Sequence, residues 1–341
     1  MNSIKVLTVI VITFCSILTA FGQNGLKDGN YFLLLKDKEK ISLNTFENNE
    51  IKENSVYTIS KKSIFATDQK KRVAILNTAK NIITLYEFET SKEIKLLIPY
   101  DIKPKCILLT ENNLFVGGKM GKEMLVQYHI QSGKWCQLEI PEEVSLLGKA
   151  VDDLVINDSL LIAIDNMIIP KYILFYHLNS TGKLIFSHFK SLKTNGAYED
   201  IYQGRITNKY LGLISKTYSG WTGCYEHITI YDDLNFTRSF AVSVKVNQEE
   251  CVFNDFLLVE NKLFIANREK GLGIFEIEDS YFNVSKDKYD DFNVRVSEDK
   301  VNYKQYKNEE IIQLMIIPSE SKIILAIRNV WDEIRYEIMD V

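Results

Sequence analysis

Along most of the chain, apolar residues come in runs of three to five or alternate with polar ones, and Asn, Asp, Gly, Ser and Lys break the runs. That is the pattern of short strands and turns; an amphipathic helix would instead repeat its apolar positions at three and four. One phrase recurs six times: an apolar strand, a polar turn, a second strand, a looser loop, then a strand ending on an aromatic-x-apolar beat. It reads SIFATDQKKRVAILNTAKNIITLYEFETSKEIKLLIP, KCILLTENNLFVGGKMGKEMLVQYHIQSGKWCQLEIP and DLVINDSLLIAIDNMIIPKYILFYHLNSTGKLIFSHF in its first three copies. The later copies are GRITNKYLGLISKTYSGWTGCYEHITIYDDLNFTRSFAV, FLLVENKLFIANREKGLGIFEIEDSYFNV and LMIIPSESKIILAIRNVWDEIRYEIMDV. The beat falls at Tyr86, Tyr128, Tyr176, Tyr231, Phe275 and Tyr336, at intervals of roughly 40 to 60 residues, the length of a four-stranded repeat unit.

These copies predict an all-β chain of six four-stranded blades, a β-propeller. The chain resembles the secreted six-bladed β-propellers of bacterial envelopes, of Bacteroidetes type. The likeness spans nearly all of residues 23–341 and rests on the repeat pattern; the Trp-Asp dipeptide of WD40 repeats and the Gly-Gly of kelch repeats do not recur with it, each occurring once, at Trp331-Asp332 and Gly117-Gly118. It implies a fold and no activity. The sixth copy stops at Val341 after its third strand. An open edge would expose unpaired backbone groups, so the N-terminal strand, Tyr31 to Leu35 or Ile41 to Phe46, is expected to pair with the sixth blade and close the ring.

Before the repeats, residues 1–22 carry one early cation, Lys5, then an apolar run from Val6 to Phe21 and the small-x-small ending Ala20-Phe21-Gly22. This reads as a signal peptide, leaving residues 23–341 as a single propeller domain exported to the periplasm or beyond the cell. Removing Lys5 takes the formal net charge from −4 to −5. No basic cluster interleaved with aromatics argues for nucleic acid, and no second apolar stretch is long enough to span a membrane.

The candidate chemistry is sparse. GGKMGKE, Gly117 to Glu123, is one residue short of a phosphate-binding loop and has Glu123 where Ser or Thr would hold magnesium. Asp287, Asp290 and Asp291 alternate with Lys286 and Lys288 as a solvated loop would. His129 and His177 occupy one repeat position in two copies, and neither His188 nor His227 has a partner at metal-ligand spacing. No cofactor, metal or catalytic constellation is expected.

One stretch stands apart. TYSGWTGCYEH, Thr217 to His227, is the second-to-third-strand loop of the fourth copy and is richer in aromatics than its counterparts. The connection entering that copy, KTNGAYEDIYQG, emerges on the same face of a propeller. Together they offer Tyr198, Glu199, Asp200, Tyr202, Tyr218, Trp221 and Tyr225 as a partner-binding surface, because Tyr and Trp give large contact area for little rotamer entropy. Cys224 and Cys251 project from that face and are the expected disulfide. Cys106 and Cys136 sit on the first and fourth strands of one copy, about 14 Å apart against the roughly 7 Å that a disulfide spans. Asn77, Asn166, Asn267 and Asn329 recur at one turn position, where Asn caps its own chain.

Two functions follow. The leading one is a non-enzymatic binding or scaffold propeller that recognises a protein or glycan through this aromatic face. The alternative is a carbohydrate-active hydrolase or lyase with carboxylates at the central opening, drawn from Glu199, Asp200 and Glu226.

Overall fold

A computed structural model describes residues 31–341 except 38, 49, 61–62, 69, 89, 120–123, 143–149, 158–159, 166–170, 180–182, 193–197, 220–222, 233–237, 248–250, 285–294 and 318–320. At some strand ends, Tyr198, Glu199, Asp200 and Tyr218 among them, it describes the backbone alone. The signal-peptide segment, Trp221, Asn166 and the Asp287–Asp291 run lie outside the described residues.

Among the described residues, twenty-eight strands form seven sheets set in a ring, antiparallel except for one parallel pairing in the fifth. The first holds β1 (Tyr31–Asp37), β2 (Lys40–Glu47) and β3 (Glu50–Thr58). The second holds β4 (Ser63–Thr67), β5 (Arg72–Asn77), β6 (Ile82–Glu87) and β7 (Lys92–Leu97). The third holds β8 (Lys103–Leu109), β9 (Asn113–Lys119), β10 (Leu125–His129) and β11 (Lys134–Gln137), and the fourth β12 (Asp153–Ile156), β13 (Leu160–Asp165), β14 (Lys171–Leu178) and β15 (Leu184–Leu192). The fifth contains β16 (Tyr198–Ile206), β17 (Leu211–Ser219), β18 (Gly223–Tyr231) and β19 (Arg238–Val246). The sixth begins with β20 (Phe253–Val259), β21 (Lys262–Asn267) and β22 (Gly271–Glu276). Of the next strands, β23 (Asn283–Val284) and β24 (Arg295–Ser297) pair with β19, whereas β25 (Asn302–Lys304) completes the sixth sheet. The seventh sheet is β26 (Glu309–Ile317), β27 (Lys322–Asn329) and β28 (Ile334–Asp340).

The ring therefore has seven blades of three or four strands, correcting the expected six four-stranded ones. The N-terminal strand does not pair with the last blade. It begins a blade of its own, β1–β2–β3, which the repeat pattern hides because the third strand, EIKENSVYT, is almost wholly exposed and polar. Closure is by face packing. Phe32 and Phe46 bury against Ile317 and Ile324 of the seventh sheet, while Leu33, Ile41 and Leu43 pack with Phe65 and Val73 of the second.

A polar belt reinforces the ring. In β8, β16, β20 and β26 a bulge breaks the register, and the next residue is Cys106, Gln203, Asp255 or Gln313. Asp153 takes the corresponding place at the start of β12. All five are buried. A bulge re-aims the side chain that follows it, and here each reaches the inner strand of the next blade or the segment entering it. The Cys106 thiol donates to the Val151 carbonyl at 3.6 Å. Asp153 accepts from the Gly204 amide at 2.8 Å, Gln203 donates to Asp255 at 2.8 Å, and Asp255 accepts from the Leu314 amide at 2.8 Å. Gln313 donates to the Leu33 carbonyl at 3.3 Å, joining the seventh blade to the first.

Candidate functional site

The fourth copy of the repeat folds as the fifth blade, the largest of the seven. Its four main strands are nine residues each, against five to seven for the first three strands of the second and third blades. Most of the residues read as loops are thus strand ends. Tyr198 lies opposite Tyr218, Tyr218 opposite Cys224, and Cys224 opposite Val246; one step inward, Glu199, Thr217, Tyr225 and Lys245 form a second row. Between β17 and β18 lie residues 220–222, Trp221 among them, which fall outside the described residues. The fold thus brings together Tyr198, Glu199, Asp200, Tyr218 and Tyr225 at one end of one sheet.

The rest behave differently. Tyr202 is the bulged residue of β16 and packs half-buried on the apolar core shared by the fifth and sixth blades. Tyr225 is half-buried and stacks on His227, ring centroids 6.2 Å apart. His227 is fully buried between two hydroxyls, Thr217 Oγ1 at 2.8 Å and Ser243 Oγ at 2.7 Å. Among the described residues no three His, Cys, Asp or Glu side chains cluster as metal ligands would.

Glu226, one of the carboxylates assigned to the central opening, is fully buried in the seam between the fifth and sixth blades. Its Oε2 accepts from the Val252 amide at 2.5 Å and the Phe253 amide at 3.2 Å. Burial pushes its carboxyl up to about 8, helped by the neighbouring Cys251 and opposed by the two amides and Lys216. It holds two blades together. The expected Cys224–Cys251 disulfide is absent, both residues being free thiols, as are Cys106 and Cys136. Cys224 packs into the apolar cluster with Val246, Val252 and Phe253, whereas Cys251 lies beside Glu226, two residues farther along β18.

The structure adds a residue that sequence reading passed over. Trp331, in the β27–β28 turn, is 79% exposed and its neighbour Val330 70% exposed. The turn is stiff. Asn329 Oδ1 accepts from the Trp331 and Glu333 amides at 2.9 and 3.0 Å, and its Nδ2 donates to Glu333 at 2.8 Å. Around it the charges neutralise one another: Glu310 takes both Arg328 and Arg268, and Arg335 is bidentate on Glu309. The same Asn device recurs at Asn77 and Asn267, each accepting from the amides two and three residues on, so those amides cap turns as expected. By strand connectivity the β27–β28 turn emerges at the same end of the ring as the end of β17 and the start of β18.

No protein-family model matches the chain, and no curated protein matches it by sequence. Solved structures match the fold. The β-propeller domain of Cps50 (Swd1) from Myceliophteria thermophila superposes with a TM-score of 0.57 at 10% identity, over 93% of this chain and 96% of that one. The chain is a seven-bladed β-propeller. The computationally designed Ika8 protein is similar over 94% of this chain and 97% of its own, with a TM-score of 0.51 and 7% identity. Likeness at such identities carries the architecture alone.

Proposed function

We propose that this propeller is an exported, non-enzymatic binding or scaffold protein that recognises a protein or glycan through the end of the ring bearing Trp331 and the aromatic strand ends of the fifth blade. The exposed indole carries the reading. Trp is buried in most folds, and an exposed one on a stiff turn, ringed by paired charges, has the layout of a binding anchor inside a polar rim. Tyr198 and Tyr218 stand opposite each other in backbone register at the same end of the ring. Export to the periplasm or beyond the cell is supported by the apolar run Val6 to Phe21 behind Lys5. The carboxylate-based enzyme reading loses Glu226 to the blade seam, and no observation favours it.

The test is capture from envelope extract and on a glycan array, comparing the wild type with Trp331→Ala and with a Tyr218→Ala, Trp221→Ala double variant. A retained protein or glycan that either variant loses supports the proposal. Identical capture by all three proteins would overturn it.

A further inference from the structure

At the opposite end of the ring, between the outer halves of the third and fourth blades, lies a groove of about 830 Å³. Its floor is a chain of side-chain hydrogen bonds. Gln127 Nε2 donates to Asn113 Oδ1 at 2.8 Å, and the Cys136 sulfur lies 3.7 Å from both Gln127 Oε1 and His129 Nε2. One wall is apolar: by strand alternation Leu178, 37% exposed, and the half-buried Phe186 lie on the face of the fourth blade that carries Tyr176 and Leu184 toward the third. The formal charges on its lining, Lys183 and Glu139, cancel. Such a site suits an uncharged ligand with one apolar side and hydrogen-bonding groups on the other.

The other wall is a strand edge. β11 is the outermost strand of its sheet, paired only with β10 among the described residues. The Leu138 amide points inward to the Leu125 carbonyl. By antiparallel alternation the backbone groups of Trp135 and Gln137 point outward.

The molecule shows elsewhere what such an edge does. On the fifth blade the outer strand β19 accepts β24 as a parallel addition, with Ala241, Val242 and Ser243 opposite Arg295, Val296 and Ser297. The incoming Val296 is 3% exposed in the core cluster. Main-chain pairing supplies the attachment and one branched aliphatic side chain fills the space between blades.

We propose that the third–fourth blade groove binds an extended, uncharged peptide segment, which adds to the edge of β11 and seats a branched aliphatic side chain against Leu178 and Phe186. The strand edge, and the parallel addition that its counterpart on the fifth blade accepts, favour a peptide over a sugar. The surface is separate from the Trp331 end and does not depend on the function proposed for it.

Calorimetric titration with the blocked heptapeptide Ser-Thr-Ser-Val-Ser-Thr-Ser, the same peptide with central Gly, and maltohexaose tests it. The Val peptide is expected to saturate with Kd at or below about 1 mM, and the Gly peptide to bind at least about tenfold more weakly. Gln137→Pro removes an outward amide without touching the β10 ladder and should weaken binding about tenfold or more with Tm unchanged, as should Leu178→Asp. Trp331→Ala should bind like wild type. If Gln137→Pro fails to fold, Leu178→Asp decides. Absence of saturation by the Val peptide, equal binding by Leu178→Asp, or binding of maltohexaose in its place would overturn the proposal.

Discussion

Replacing Asp255 by alanine tests whether the polar belt, rather than apolar packing alone, holds consecutive blades together. Its Oδ1 accepts from Gln203, from Arg205 and from the Phe256 amide, at 2.8, 2.7 and 2.8 Å, and its Oδ2 accepts from the Leu314 amide at 2.8 Å. The Arg205 and Asp255 side chains are 2% and 3% exposed, and Arg205 Nε already has no partner. Alanine would strand a buried guanidinium and leave two amides unsatisfied. Breaking a buried pair from one side costs about 3–5 kcal/mol, a large part of the roughly 5–15 kcal/mol that keeps a domain folded. Asp255→Ala should therefore lower the urea midpoint by a corresponding amount. Arg205→Met in the same background should restore about half or more of the loss, because no charge is then left buried. The assay is urea unfolding followed by far-UV circular dichroism for the wild type, both single variants and the double variant. A loss under about 1 kcal/mol for Asp255→Ala, or strictly additive effects of the two substitutions, would refute the reasoning. Should Asp255→Ala fail to fold, the double variant against Arg205→Met alone carries the test.

Deleting residues 31–58 removes the whole first blade and exposes Phe65, Ile312 and Ile324; the expected result is loss of cooperative unfolding, and a truncated protein with native Tm would contradict face-packed closure. Glu226 is held neutral up to about pH 8, so the folded state keeps a proton that the unfolded chain releases near pH 4.5. Stability is then full below that value and falls as pH rises toward 8; Glu226→Gln should flatten this decline in thermal melts between pH 5 and pH 9, and an unchanged slope counts against it. Intact mass after alkylation in denaturant without reductant should show Cys106, Cys136, Cys224 and Cys251 all modified, whereas protection of Cys224 and Cys251 would restore the bridge between them. Gly271 has φ +87 and a Cβ there would meet the Lys304 carbonyl at 2.3 Å, so Gly271→Ala should cost more than the roughly 1 kcal/mol of an ordinary glycine substitution, measured by urea midpoint.

The sequence by itself determined the all-β character, the propeller class and the six best-patterned blades, because a strand buried on both faces must be apolar and turns need Asn, Gly or Asp. It also determined the Asn-capped turns at Asn77, Asn267 and Asn329, a local matter of one side chain and the next few amides. Tertiary structure decided what depends on distant neighbours. The first blade stayed hidden because its outer strand, Glu50 to Thr58, faces water and needs no apolar pattern. Tyr198 and Tyr218 became paired strand residues because the long strands of the fifth blade extend the sheet past the expected loop. Glu226, indistinguishable in sequence from any surface acid, became a buried seam only when the Val252 and Phe253 amides arrived beside it. Asp255 and Gln313 look like ordinary polar residues until a bulge turns each toward the next blade. Trp331 was legible as a tryptophan but not as an exposed one, since exposure belongs to the packing of the whole ring rather than to the residue.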